Sequence, residues 1–326
     1  MKLSGFAKFA WSVLAYNVLV ILWGAYVRAS GSGAGCGDHW PRCNGEIIPR
    51  IKTVEMLIEF SHRASSGLLA LSVLALVIWA FRSFPKNHLV RTGAVVSILF
   101  VIIEALLGAG LVKFGLVNKN DSVARAVVMS LHLINTLTLT AALALTAWWA
   151  SGGRPVRIGA QKAQAMALGI ALMTTVMLAV TGAVVALGDT LFPAKTLAEG
   201  MQQDFSPTAH FLIRLRIIHP ILALIVATYV IVLVITTALG KTDKTTVKLA
   251  RMVAAHFAVQ LIIGLANLFL LAPTWMQLLH LGVANLVWIS LVLFVASALA
   301  NESTVIDYRP VASGASGSST ESPVLN

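Results

Sequence analysis

Four of the eight histidines in this 326-residue sequence lie at matching positions in long apolar segments. His62, His132, His219 and His280 each follow shortly after the charged flank of such a segment. Two imidazoles that face each other at one depth can bind the iron of a haem from both sides, because a flat porphyrin leaves two axial positions. The spacing therefore predicts one haem between His62 and His132 and another between His219 and His280.

Two other interpretations of these histidines are weaker. A single histidine inside a membrane helix more often hydrogen-bonds a neighbour than binds a metal, but four that recur in pairs favour ligation. Zinc fits less well, because each half supplies only two converging histidines and no Cys or Asp within the bilayer completes a tetrahedral set of ligands. The remaining histidines lie in loops or at the other end of a segment and are weak candidates: His39, His88, His210 and His256.

An acidic residue precedes the first of the four histidines. Glu59 lies three residues before His62 and four before Arg63, so a helix would bring the carboxylate, the imidazole and the guanidinium together. This arrangement suits proton transfer beside a reactive porphyrin, which makes Glu59 the candidate catalytic residue. The alternative is a carboxylate solvated by lipid headgroups, and that is the better interpretation for Glu55.

Other charged residues lie near or within the apolar segments. Glu104 lies deep in one of them, where a charge costs roughly 2.5 to 3.5 kcal/mol, but its counterpart later in the chain is the neutral Gln260. This pairing favours an interhelical hydrogen bond, and Glu104 is left outside the predicted active site. Five arginines near one membrane boundary are candidates to neutralise haem propionates, although snorkelling to the interface explains some equally well. They are Arg28, Arg63, Arg125, Arg214 and Arg216.

Cys36 and Cys43 are the only cysteines, and they lie in one Gly- and Pro-containing loop. Their spacing does not match a zinc knuckle. On the oxidising side of a membrane a disulfide is the default, and here it would close a short loop. Such a disulfide is either structural or exchanges electrons with an external thiol.

The composition requires that these residues be positioned by membrane helices. Hydrophobic residues make up 58% of the chain and charged residues 11%, with a mean hydropathy of +0.84, which excludes an ordinary soluble domain. Uncharged runs are too long for the strands of an outer-membrane barrel. The net charge of +11 comes from basic residues between apolar runs, so it indicates membrane topology rather than a nucleic-acid partner.

The apolar runs divide the chain into eight predicted transmembrane helices. Six runs are separate, at 9–27, 64–81, 92–112, 126–153, 163–188 and 217–240, and the stretch 252–300 is long enough for two helices joined at 272–274. Lys and Arg in the loops favour cytoplasmic N- and C-termini in the cell membrane, with the cysteines outside. The Ser- and Gly-rich segment 301–326 is predicted to be a disordered cytoplasmic tail.

The two halves of the chain resemble each other. Gly24 in the first predicted helix matches Gly182 in the fifth, and His62 and His132 match His219 and His280. We therefore expect two pseudo-symmetric four-helix bundles, at 1–153 and 154–300, related by an axis along the membrane normal.

Three motifs together resemble the haem A synthase family. They are residues 24–33 (GAYVRASGSG), the loop 36–45 (CGDHWPRCNG) and residues 59–63 (EFSHR), and the resemblance extends from about residue 9 to 300. It implies an eight-helix enzyme that oxidises the C8 methyl group of haem O to a formyl group by successive hydroxylations, which yields haem A for cytochrome oxidase. Membrane lipid would deliver the substrate, haem O synthase is a candidate partner, and an electron donor or acceptor would be needed.

The resemblance also assigns roles to individual residues. It implies that His219 and His280 ligate a resident haem b, and that His62 and His132 bracket the substrate haem with Glu59 beside it. Cys36 and Cys43 would match the outer-loop pair of the family, together with the residues that surround them.

The second half departs from the family pattern, because its loop at 189–209 lacks cysteines and Pro220 rather than Arg follows His219. Competing functions are a cytochrome b-like electron carrier with two permanent haems and a haem transporter or chaperone. A carrier would hold two haems b, whereas the enzyme would hold one resident haem and one exchangeable prenylated haem.

Overall fold

The computed structural model describes residues 3–159 and 161–300, and in these residues the chain is all-α. Its helices are α1 (Gly5–Ala29), α2 (Val54–Ser83), α3 (Leu89–Lys113), α4 (Val123–Ala150), α5 (Lys162–Leu191), α6 (Leu197–Asp204), α7 (Phe211–Leu239), α8 (Lys244–Phe269) and α9 (Thr274–Ala298). All except the short α6 are long and apolar enough to cross a membrane, which confirms the prediction of eight spans. The predicted disordered tail at 301–326 lies outside the described residues.

Two features of the helices differ from the hydropathy prediction. Helix α2 begins at Val54 rather than at residue 64, because Thr53 caps it by accepting a hydrogen bond from the N–H of Met56 (3.2 Å). Helix α6 was not predicted, since it is short and polar and lies in the connection between α5 and α7. Polar residues that interrupt an apolar run therefore do not always end a helix.

The spanning helices contact one another in the same order in both halves. In the first half α1 and α3 each pack against α2 and α4, so α2 lies opposite α4. In the second half α5 and α8 each pack against α7 and α9, so α7 lies opposite α9. The predicted symmetry axis between the halves stays a prediction, but the neighbour order brings opposite helices of each half to face a common interior.

One apolar core joins the two halves. Leu143, Leu291 and Phe294 are fully buried in a cluster that draws on helices of both halves. The indole N–H of Trp288 in α9 donates a buried hydrogen bond to the carbonyl of Leu137 in α4 (2.7 Å). Because this seam is apolar and well packed, the two groups of four helices hold fixed positions for the histidines that they carry.

Candidate functional site

The two candidate histidines of the first half lie on opposite helices, and each ring packs against a glycine of a neighbouring helix. His62 is about two turns from the start of α2, and a methyl group placed on Gly24 of α1 would lie 2.9 Å from its Cε1. His132 lies at a similar depth in α4, and a methyl group on Gly108 of α3 would lie 3.6 Å from its Nε2. Glycine at position 24 therefore leaves the space that the ring occupies.

The second half repeats these contacts. A methyl group on Gly182 of α5 would lie 2.8 Å from Cε1 of His219 in α7, and one on Gly264 of α8 would lie 3.1 Å from Cε1 of His280 in α9. Both distances are shorter than normal contacts of a Cβ atom, so these glycines could not be alanine without a shift of the ring. All four candidate histidines thus face a glycine of the neighbouring helix, which we call a glycine slot, and for His62, His219 and His280 this glycine leaves room that an alanine would not.

The polar partners of the rings differ between histidines. Nδ1 of His132 lies 2.9 Å from a carboxylate oxygen of Glu104, and Nδ1 of His219 lies 2.9 Å from the hydroxyl oxygen of Thr181. A partner on Nδ1 fixes the orientation of an imidazole and leaves Nε2 for a metal. In contrast, Nε2 of His280 lies 3.1 Å from the side-chain nitrogen of Gln260.

Two ring nitrogens are buried without a hydrogen-bond partner in the described part of the chain, namely Nδ1 of His62 and Nδ1 of His280. Paired imidazoles on opposite helices, each in a glycine slot, fit the two axial ligands of a haem. A haem in the second half would be held by His219 and His280, and the Gln260 amide now contacts one of these rings.

In residues 3–159 and 161–300, no group of three or more His, Cys, Asp or Glu side chains is placed to hold a metal ion. The weaker histidine candidates have other surroundings: His39 lies beside Asp38, His210 faces Asp121 at 3.8 Å, and His256 contacts Ser290 at 3.1 Å. His88 caps α3, where it accepts a hydrogen bond from the N–H of Val90 (3.1 Å).

Glu104, which the sequence places outside the predicted active site, contacts one of the candidate histidines. The expected interhelical hydrogen bond exists, but it runs to His132 itself. Asn135 donates to the same carboxylate (2.5 Å), and the hydroxyl of Thr136 contacts it. His132, Asn135 and Thr136 follow one another at positions i, i+3 and i+4 of α4, a spacing that places three side chains on one helix face. That spacing was a signal available in the sequence.

Glu59 lies beneath the loop that carries the cysteines. Its carboxylate is buried, with 3% of the residue exposed, and accepts hydrogen bonds from the N–H of Cys36 (2.8 Å) and from Nε of Arg63 (3.1 Å). Another nitrogen of Arg63 donates to the backbone carbonyls of His39 and Arg42 (2.6 and 2.8 Å). The pair thus anchors the loop to α2, one turn from His62.

The predicted disulfide is present. Cys36 and Cys43 are bonded, and both are buried against Met56 at the start of α2. In the described residues no cysteine is free. The loop is therefore a closed cap over the first half, held by its own covalent bond and by Glu59 and Arg63.

Arg28, one of the arginines predicted to neutralise haem propionates, forms hydrogen bonds that link the two halves. From the end of α1 its guanidinium donates to the carbonyl of Ala186 (2.7 Å) and the hydroxyl of Thr190 (2.9 Å) in α5, and to the side-chain oxygen of Gln277 (3.0 Å) in α9. These contacts join the ends of α1, α5 and α9 on the side of the disulfide loop.

The other arginines proposed for propionates also donate to protein oxygens. Arg125 donates to the carbonyls of Asn118 and Asn120 (both 2.6 Å) in the connection before α4. Arg214 donates to the carbonyl of Pro207 (2.8 Å). Arg216 pairs with Asp189 (2.7 Å) and Asp204 (3.6 Å), which ties α6 to α7. Burial raises the pKa of Asp204, while the neighbouring Arg216 acts in the opposite direction.

A groove of about 580 Å³ opens at the outer surface of the helices, next to Ser61 of α2. Its walls include Trp23 and Tyr26 of α1, Ser61 and Ser65 of α2, and Leu278 of α9. The indole N–H of Trp23 donates to the hydroxyl of Ser61 (3.1 Å), which joins α1 to α2 at this point. The groove is mostly apolar and lies between the two halves.

Comparison with known proteins gives a family match over most of the chain. The model of the COX15-CtaA family, described as cytochrome oxidase assembly protein, matches residues 7–292. Proteins of Thermus thermophilus named protoheme IX farnesyltransferase are 52% and 51% identical over 296 residues, which is 91% of this chain and 49% of each relative. The chain thus spans about half the length of these relatives.

Shorter matches reach proteins named haem A synthase. That of Halalkalibacterium halodurans is 38% identical over 139 residues, or 42% of this chain and 44% of the relative. That of Bacillus licheniformis is 41% identical over 130 residues, or 40% of either chain.

The glycine slots predict a graded response to alanine. We expect Gly182→Ala to cost about 1–3 kcal/mol of stability, because the added methyl group must displace His219, and to reduce the haem bound per chain. Gly169→Ala in the same helix meets nothing within 4 Å and should change stability by less than about 0.5 kcal/mol. Thermal unfolding in detergent and the haem-to-protein ratio measure both effects. Equal behaviour of the two variants would show that the slot does not position the ring.

Proposed function

This chain belongs to the COX15-CtaA family, and we propose that it is a haem A synthase that oxidises the C8 methyl group of haem O to a formyl group. The proposal depends most on one observation, the pairs of half-buried imidazoles on opposite helices of each half, in a chain of this family. Oxidation of an unactivated methyl group needs a redox group that no amino-acid side chain supplies, and bound haem supplies it.

In this proposal the two halves have different tasks. His219 and His280 hold a resident haem b, and Thr181 keeps the ring of His219 oriented through Nδ1. His62 and His132 hold the substrate haem, while Glu59 accepts a proton beside it. Two of the arginines already bind protein groups: Arg28 donates to α5 of the second half, and Arg216 pairs with Asp204 of α6. A contact with haem propionates would require these arginines to exchange their protein partners.

The apolar groove at Ser61 and Ser65 supports entry of the substrate from the membrane. A porphyrin with a long isoprenoid chain dissolves in lipid, and this groove presents mostly apolar walls at the outer surface of α1 and α2. In this proposal the chain lies in the cell membrane. The Lys and Arg residues of the loops favour both termini in the cytoplasm and the disulfide loop outside.

Two kinds of partner follow from the proposed reaction. The relatives named protoheme IX farnesyltransferase match this chain over about half of their length, so haem O synthase is the proposed supplier of the prenylated substrate. The proposed oxidation also needs an electron donor or acceptor.

Chromatography of extracted pigments tests the proposed reaction. Membranes that contain the protein, supplied with haem O, should yield haem A or hydroxylated haem O together with one haem b per chain. Membranes without the protein serve as the control. Unchanged haem O together with two haems b per chain would identify a cytochrome b-like electron carrier instead. In that case each histidine pair would hold one permanent haem b.

Histidine substitutions test the assignment of the halves. We expect His219→Ala or His280→Ala to remove the haem b spectrum, because the iron loses an axial donor, whereas His62→Ala or His132→Ala should retain the spectrum and lose product. His256→Ala is the matched control, since this imidazole contacts Ser290 and lies outside the paired slots. Retention of the haem b spectrum in the His219 variant, measured on purified protein, would refute the assignment.

Glu59 has two roles to separate, because it also anchors the disulfide loop. We expect Glu59→Ala to retain the haem b spectrum and to abolish product. Glu59→Gln keeps an acceptor oxygen for the N–H of Cys36 but cannot take up a proton as a carboxylate does, so it should also lose product, by about 100-fold. The exposed Glu55, one turn earlier in α2, provides the control Glu55→Gln. Near-normal turnover of Glu59→Gln would leave this residue only its anchoring role.

A further inference from the structure

Two corresponding histidines of the halves, His132 and His280, have different polar partners. In α3 the partner of His132 is the carboxylate of Glu104, whereas in α8 the partner of His280 is the amide of Gln260. Both partners lie four residues before the glycine that faces the ring. The halves therefore keep the same slot but place a charged acceptor in one and a neutral amide in the other.

The surroundings of Glu104 are built for a carboxylate. Three polar groups of α4 surround it. The side-chain amide of Asn135 donates to it (2.5 Å), Nδ1 of His132 lies 2.9 Å from it, and the hydroxyl of Thr136, which also lies 2.8 Å from the carbonyl of His132, contacts it. An ionised carboxylate only accepts hydrogen bonds, so surroundings that supply the Asn135 amide and a ring nitrogen able to carry hydrogen match its chemistry. This match explains how an acidic residue is accommodated in the middle of a membrane helix.

The second half lacks those donors. Positions three and four after His280 hold Val283 and Ala284, whereas the same positions after His132 hold Asn135 and Thr136. The oxygen of Gln260 is buried with no hydrogen-bond partner in the described residues, and its nitrogen contacts Nε2 of His280 rather than Nδ1. The carboxylate and its donors thus occur together in the first half and are replaced together in the second.

We propose that Glu104 is the positioning residue of the substrate half: its carboxylate holds the hydrogen of His132 on Nδ1 and presents Nε2 to the substrate iron. This inference rests on the proposed function only in taking His132 as a ligand of the substrate haem. A carboxylate on Nδ1 also makes an imidazole a stronger electron donor than an imidazole whose Nδ1 has no partner in the described residues, as in His280. The pair Glu104–His132 therefore gives the two halves ligands of different strength, with the stronger donor in the half that holds the substrate.

The experiment compares Glu104→Leu, which removes the acceptor, with Glu104→Gln, which keeps an acceptor oxygen without the charge. Nitrogen-15 NMR of histidine-labelled protein without haem O reports which ring nitrogen of His132 bears hydrogen, and the His132→Ala spectrum assigns the signal. We expect Nδ1–H in the native protein and in Glu104→Gln, and a mixture of the two tautomers in Glu104→Leu.

Product formation is measured on the same variants. We expect Glu104→Leu to lower it by about 10- to 100-fold, with Glu104→Gln in between and the haem b spectrum of the second half unchanged in both. Ser97→Ala is the control, because it removes another buried polar group from α3. The hydroxyl of Ser97 donates to the carbonyl of Gly93 in the same helix (2.8 Å), so this variant should leave both readouts unchanged. The haem b spectrum verifies that each variant is folded, and Glu104→Gln carries the test if the leucine variant does not fold.

Two results would overturn the inference. One is an Nε2–H tautomer of His132 in the native protein, and the other is full product formation by Glu104→Leu. If the native protein forms no product from haem O, the proposed function fails, but the tautomer of His132 still decides whether Glu104 positions this ring.

Discussion

Imidazoles inside a membrane need room, and three of the four rings here also have a polar partner, so these contacts constrain how the helices pack. Room comes from a glycine on the neighbouring helix at each of the four positions, where in three cases even a methyl group would lie within 3.1 Å of the ring. Polar partners come from Glu104, Thr181 and Gln260. Because the glycine and the histidine belong to different helices, the contact also fixes how these helices pack, and the neighbour order of each half follows.

The contacts around the site connect the outer loops to the interior. Glu59 and Arg63 hold the disulfide loop over the first half, and Arg28 ties the end of α1 to α5 and α9 of the second. A movement of the loop would therefore be transmitted to α2 one turn from His62, and a movement of α1 to the second half. Of the charged residues near this boundary, Arg28 joins the two halves, whereas Glu59, Arg63 and Arg216 hold segments within one half.

Much of this structure could be predicted from the sequence, because a membrane imposes long apolar helices and a repeat reveals which histidines belong together. Hydropathy located eight spans but placed the start of α2 too late, since the polar residues from Glu55 to Arg63 are helical through capping and pairing. It also missed α6, whose length and composition carry no membrane signal. The neutral counterpart of Glu104 in the other half predicts an interhelical hydrogen bond, which the structure contains, but the identity of its partner, His132, becomes evident only when α3 and α4 are packed together.

The central claim is that opposite helices present paired imidazoles to one haem iron, with His219 and His280 as the resident pair. Anomalous diffraction at the iron absorption edge, from crystals of the pigmented protein, locates the metal directly. The account predicts an iron peak between these two rings, with the Gln260 amide displaced from Nε2 of His280. An iron peak bound by neither ring, or by His256 in their place, would contradict it.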